Sequence, residues 1–210
     1  MDKDKTIKKQ RILLICLALV ILALVVSIVV IANNKSNSEN TENQPDIIQN
    51  EDKEDLTGLP VYKSGRIPNY IEYVAESGAR FYYPYGWISA GTEESPIFVK
   101  NDDSVASVNF MTTEYPTGVE FNYYLEKTKE SLTANVTLDG DASQQFINLN
   151  GKKACRVDYV AVQDDTKLKV TQIIFVEDDT VYILTTTADL EKYENVKQEL
   201  ENIIKTFKKV

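Results

Sequence analysis

The amino-acid sequence predicts an α+β domain with a central antiparallel sheet flanked by helices, an α/β/α sandwich preceded by one transmembrane helix. Three observations carry this. Four runs of alternating apolar residues between 144 and 187 are separated by short turn signals, amphipathic helical patterns lie before and after them, and an uninterrupted apolar run fills residues 12–31.

The apolar run is 20 residues long, and only Ser27 in it lacks clear apolar character. A helix of that length spans about 30 Å, the thickness of a bilayer's hydrocarbon core. A buried globular helix keeps a polar face, and this segment has none. Lys3, Lys5, Lys8, Lys9 and Arg11 precede the run and only Lys35 follows closely. The positive-inside rule therefore places residues 1–11 in the cytoplasm as a basic tail and residues 12–32 across the membrane. Val30-Ile31-Ala32 is a tolerable cleavage site, so a released protein is the competing reading. The run exceeds the usual 7–15 residues of a signal peptide, which favours an uncleaved anchor. Cys16 sits near the start of the run behind bulky Ile15, which disfavours a lipoprotein signal.

Residues 33–57 read NNKSNSENTENQPDIIQNEDKEDLT, with no aromatic residue and two isolated isoleucines. Such a segment buries too little to offset chain entropy, and it is expected to be a disordered acidic linker. The 210-residue chain has a net charge of −9. Its first eleven residues hold five basic and two acidic side chains, a net +3, so the remainder carries −12. That sign excludes binding of nucleic acid or anionic lipid by the outer domain. Cys16 and Cys155 lie in different compartments, so the domain of residues 58–210 relies on its core and not on a disulfide.

Within that domain, 70–74, 80–83, 97–100 and 105–110 alternate as short strands, the last two separated by the turn 101–104. Thr117-Gly118-Val119-Glu120 has the form of a capping box opening a helix to about Leu132, with Phe121, Tyr124, Leu125, Thr128 and Leu132 as its apolar stripe. Asn150-Gly151 between apolar runs is the strongest short hairpin signal, a type I′ turn with both residues at positive φ. Turns at 163–166 and 177–180 then divide 153–162, 167–176 and 181–187 into a four-stranded antiparallel meander with 144–149. Asp189 caps the closing helix. Tyr193, Val196, Leu200, Ile203, Ile204 and Phe207 form its buried face, and Glu201 with Lys205 makes a supporting pair on the other.

The run Phe81-Tyr82-Tyr83-Pro84-Tyr85-Gly86-Trp87 resembles the strand–Pro–x–Gly–Trp opening of the PsbP-like proteins and their bacterial DcrB-type envelope relatives. The order of elements from Ala79 to Lys209 resembles theirs as well, including the hairpin through Leu149-Asn150-Gly151-Lys152-Lys153-Ala154 and a helix closing near Thr206-Phe207-Lys208. The resemblance implies the α/β/α sandwich. Plant members assist oxygen evolution with metal-linked sites, and histidine ligands cannot be carried onto a chain that has no histidine. The tethered layout resembles envelope proteins of Gram-positive bacteria. Fold-level likeness is a weak guide to activity.

Chemistry is constrained mostly by what is missing. Without histidine there is no Ser-His-Asp triad, no Cys-His dyad and no ordinary catalytic zinc site. No serine has lysine three residues on, and Lys63-Ser64-Gly65 stands alone. The acidic pairs 102–103, 139 with 141, 164–165 and 178–179 invite a calcium reading. Aspartate is also simply suited to turns, and successive meander turns lie at opposite ends of a sheet, so those pairs cannot converge. Cys155 reads as a small buried hydrophobe, with Arg156 on the opposite face of its strand. Trp87 reads as a core anchor. The sequence thus nominates no catalytic, cofactor-binding or metal-ligating residue and no cofactor. It points to a non-catalytic, membrane-tethered binding or assembly module of the envelope, held by residues 12–32, with an envelope protein or wall partner. The docking surface is expected on a free sheet edge or an uncovered aromatic strand face. The alternative is a hydrolase working through carboxylates alone, which requires two buried carboxylates about 5–9.5 Å apart in a cleft.

Overall fold

The computed structural model describes residues 55–63, 67–102, 104–163 and 166–210. The predicted tail, membrane span and nearly all of the linker lie outside the described residues, as does the turn pair 164–165.

The predicted meander is the centre of the domain. Strands β7 (Ser143–Leu149), β8 (Lys152–Gln163), β9 (Thr166–Glu177) and β10 (Thr180–Asp189) pair antiparallel in sequence order. Asn150 and Gly151 have φ of 54° and 91°, as a type I′ turn requires. Asp178 and Asp179 turn β9 into β10 the same way, with φ of 49° and 56°. Aspartate tolerates the left-handed region because its short side chain bonds locally.

The sheet is larger than the meander. Strand β6 (Ser107–Glu114) pairs with β10, β5 (Pro96–Val99) with β6, and β4 (Ile88–Gly91) with β5, all antiparallel. At the other edge β1 (Val61–Tyr62) pairs parallel with β7. The eight strands run β1-β7-β8-β9-β10-β6-β5-β4, so the sheet is mixed and not purely antiparallel as expected. Strands β2 (Tyr70–Val74) and β3 (Ala79–Pro84) stay out of it. They form a second sheet, closed on the far side of β3 by β11 (Lys208–Lys209). The expected strand 105–110 begins only at Ser107, because Val105 is held at φ 55°, which interrupts extended backbone.

Two helices cover opposite faces of the large sheet. Helix α1 (Phe121–Asn135) buries Tyr124, Leu125 and Leu132 over Met111, Val157, Tyr159, Val170 and Ile174. The predicted capping box does not form. Residues 116–119 are drawn into a turn with Gly118 at φ 75°, Val119 N–H bonding Pro116 O, and the helix starts at Phe121 without a side-chain cap. Helix α2 (Tyr193–Thr206) follows a 3-10 turn at Leu190–Lys192, where Asp189 accepts the Glu191 N–H as expected. It buries Val196, Leu200, Ile203 and Ile204 with Phe207 and the small sheet's Phe81 over Phe110, Ile173, Phe175 and Leu184. The Asn150 side chain donates to the carbonyls of Lys205 and Phe207 at 3.2 and 2.8 Å, which ties the β7–β8 turn to the end of this helix.

Glu201 does not serve Lys205. It turns inward to Arg156 on β8, whose guanidinium bonds both Glu201 oxygens at 2.7 and 3.0 Å and both Asp158 oxygens at 2.7 and 3.1 Å. A cross-sheet partner with two-pronged geometry displaces a solvated i,i+4 pair worth only a few tenths of a kcal/mol.

Candidate binding cleft

Of the four terminal strands among the described residues, β1 and β4 of the large sheet and β11 and β2 of the small one, two concern this site: β4 and β2. They face the same cleft. The chain runs from β3 into β4 through Pro84-Tyr85-Gly86-Trp87, with Gly86 at φ 90° and Trp87 buried in the core. That sharp passage swings the small sheet over the large one and leaves a gap between β2 and β4. The gap has a main lobe of about 530 Å³ bounded by Tyr73, Val74, Tyr83, Ser89, Ala90 and Phe98. A second lobe of about 370 Å³ continues from it past Glu76 and Glu93.

The floor is aromatic. The Tyr83 ring stacks on Phe98 with centroids 4.0 Å apart, and Tyr73 meets Phe98 edge-on at 5.4 Å and Phe81 at 5.2 Å. Strand alternation sets this up, sending Phe81 and Tyr83 toward the large sheet and Tyr82 away from it. Phe81 is fully core, whereas Tyr73 and Tyr83 are half-buried and present one side to the gap. Burial raises both phenols' pKa, and for Tyr73 the nearby carboxylates of Glu76 and Glu93 raise it further. Both hydroxyls are therefore protonated donors at neutral pH.

One end of the cleft is acidic. Glu76 lies in the β2–β3 turn, and Glu93 and Glu94 lie in the β4–β5 turn, all exposed. Among the described residues none of the three makes a salt bridge, whereas Glu72 pairs with Arg80. Ser77 Oγ lies beneath this rim, shielded from solvent and without a hydrogen-bond partner. Strand β4 has no clear sequence signature, because Ile88-Ser89-Ala90-Gly91 is short and mostly small. Without it the cleft is not legible from the sequence, although the aromatic run that contains Tyr83 is.

The other polar groups go elsewhere. Asp139 pairs with Lys167 at 2.7 Å, Asp102 with Lys100 at 3.4 Å, and Asp178 with Lys209. These turn aspartates hold lysines and do not converge. The most buried carboxylates, Asp158 and Glu201, share one guanidinium. Burial pushes Asp158 up, but hydrogen bonds from Arg156 and Thr171 outweigh it and leave its pKa lowered. That is the reverse of what a general acid needs. Cys155 is fully buried, and burial pushes its thiol up to about 12. In a Cys16→Ser background, a thiol-specific disulfide reagent is expected to label Cys155 only as fast as the domain opens, and quickly in denaturant. Immediate stoichiometric labelling under native conditions would refute the inert reading.

A family model described as DcrB matches residues 96–206, more than half of the chain. None of the curated proteins compared with the chain matches it. Among solved structures, the solution structure of PsbP from Synechocystis sp. PCC 6803 is similar at 14% identity and TM-score 0.51, covering 69% of this chain and 95% of that one. The Saccharomyces cerevisiae Ran-binding protein Mog1p is similar at 13% identity and TM-score 0.49, covering 68% and 96%. LpqN of Mycobacterium tuberculosis, described as involved in cell envelope biogenesis, is similar at 14% identity and TM-score 0.37, covering 71% and 80%. With a family model that runs from β5 through helix α2, the chain belongs to the DcrB family, and it shares the fold of the PsbP structure.

Proposed function

We infer that the chain is a non-catalytic binding module of the cell envelope. Residues 12–32 anchor it with the N-terminus cytoplasmic, residues 33–57 tether it, and residues 58–210 dock a partner in the cleft between β2 and β4. The observation that carries this reading is the pairing of two open strand edges across an aromatic floor. Open edges are ready-made templates for another chain, and folded proteins ordinarily cover or blunt them. Membership of the DcrB family supports the envelope setting. The position of the cleft suits a tethered module: β1, next to the linker, lies at the opposite edge of the sheet, about 33 Å away at ordinary strand spacing. A partner at β4 is thus approached on the side remote from the anchor. The carboxylate hydrolase has no support in this geometry, since Asp158 and Glu201 are bound to one guanidinium and the cleft glutamates are exposed at its rim.

The test is site-specific crosslinking in intact cells expressing the chain. Photoreactive residues at Val74 and Ile88, exposed beside the two edges, are compared with one at equally exposed Tyr123 on helix α1. Discrete adducts are expected from the first two and not from the third. Equal yields at all three sites would remove the cleft from the function. Protease added to spheroplasts is expected to digest the domain and spare the tail; a protected domain would overturn the topology.

A further inference from the structure

The geometry points to a specific class of occupant for this cleft: an extended peptide segment that adds as a strand to an open edge, sets alternate apolar side chains on the aromatic floor, and carries lysine or arginine at the end facing Glu76, Glu93 and Glu94. This rests on the docking reading above and goes beyond it by naming the partner's chemistry.

Three observations select that class. The first is the backbone. Strands β2 and β4 are each unpaired on the side away from their own sheet, and the main lobe lies between Val74 on one and Ser89 and Ala90 on the other. A chain lying there satisfies its N–H and C=O groups against a preformed edge, the mode by which strand addition gains affinity. A helix about 10 Å wide cannot lie between two edges and satisfy either. The second is the floor. Tyr73, Tyr83 and Phe98 form a flat apolar surface that matches one face of an extended strand, where every second side chain points the same way. The third is charge. Glu76, Glu93 and Glu94 cluster at the turn end of the cleft, and no lysine or arginine among the described residues pairs with them. A cation there gains attraction without first breaking an ion pair. The same charge argues against a second copy of this chain as the occupant. Outside the basic tail the chain carries −12, and a second β2 or β4 edge brings its own glutamates to the same end.

The probe is a fluorescein-labelled seven-residue peptide, Val-Thr-Val-Thr-Val-Lys-Lys, with its reversed sequence and a version ending in two glutamates. Binding to the full-length chain is read by fluorescence anisotropy at 50 and 300 mM salt. One lysine peptide is expected to bind at least tenfold tighter than the glutamate peptide, and more weakly at the higher salt. Glu76→Lys combined with Glu93→Lys, both exposed and so without cost to the fold, is expected to weaken it at least tenfold. Methylating alternate backbone amides of the peptide is expected to abolish binding in one register and spare it in the other, because only one set of N–H groups faces the protein edge. Equal tolerance of methylation in both registers would overturn strand addition. Failure of all peptides, or indifference to Glu76→Lys and Glu93→Lys, would overturn the peptide class. Crosslinking confined to Val74 and Ile88 would in that event still leave the cleft as a docking site for another partner, so the two readings fail separately.

Discussion

Replacing Arg156 with alanine is expected to lower the unfolding free energy by about 3 kcal/mol, within the usual range for removing one member of a buried ion pair. The Arg156 side chain is 12% exposed, and its two carboxylate partners are each 20% exposed. The loss comes mainly from stranding Asp158 and Glu201 between sheet and helix, close together and without their shared cation. Thr171 and Lys169 still reach Asp158, at 2.6 and 3.7 Å, and moderate the effect. The acid side of the stability profile should change as well. The folded pKa of Asp158 lies below its unfolded value of about 3.9, so its contribution is present above that pH and is lost as pH falls through the folded value. Without Arg156 that acid-side loss should shrink. Urea unfolding at pH 7 and at several points from about pH 4 down to about pH 2 measures both. A change below about 1 kcal/mol at pH 7 would mean that the network is solvated and contributes little. Adding Glu201→Gln to the Arg156→Ala variant should recover part of the loss, because it removes one of the two stranded charges.

Gly91→Ala is the second substitution expected to act strongly. Gly91 ends β4 at φ 89°, and an added Cβ would stand 2.4 Å from the Ser95 carbonyl oxygen and 3.2 Å from the Ile97 backbone nitrogen. The change combines a positive-φ penalty of about 1–2 kcal/mol with an overpacking cost of about 1–3 kcal/mol. Gly151 provides the control. Its φ is 91°, but nothing lies within 4 Å of the added carbon, so only the backbone term applies. Gly91→Ala should therefore destabilise by about twice as much as Gly151→Ala. Amide exchange should localise the Gly91 effect to β4 and β5, where the hairpin forms a wall of the cleft. Equal melting temperatures for the two variants would show that the Ser95 carbonyl can move aside, and would weaken the view of the β4–β5 turn as a fixed rim.

The meander was legible because everything that specifies it is local. Asn150-Gly151 and Asp178-Asp179 announce their turns, and strand alternation supplies the register. The buried face of helix α2 was legible for the same reason, from a period of 3.6. What could not be read depends on pairings distant in sequence. Nothing in Val61-Tyr62 indicates a parallel partner in Asn148 and Leu149. Nothing in Tyr70–Val74 or Ala79–Pro84 indicates a sheet of their own, since both alternate like the strands of the large one. Glu201 and Arg156 are 45 residues apart, so a helix-surface rule assigned Glu201 to the wrong partner. The cleft combines both cases. The aromatic run is plain in the sequence, but the open edges beside it arise from where the chain changes sheets.

The small sheet carries a consequence for the order in which this molecule becomes competent. One wall of the cleft is β2, which pairs as a strand only with β3, and β3 is held from its other side by β11. The Tyr82 N–H also donates to Thr206 Oγ1 across a separation of 124 residues. A lone two-stranded hairpin is marginal in water. The β2–β3 pair therefore has no firm position until helix α2 has docked and the segment beyond it has paired. Contacts that close so long a loop form late, after the local meander is in place. A chain emerging N-terminus first would hold Tyr73, Phe81 and Tyr83 unassembled until the residues of α2 and β11 have followed them. The cleft would then appear in one step with completion of the domain, and a partner that docks there as proposed would find no surface on an unfinished copy.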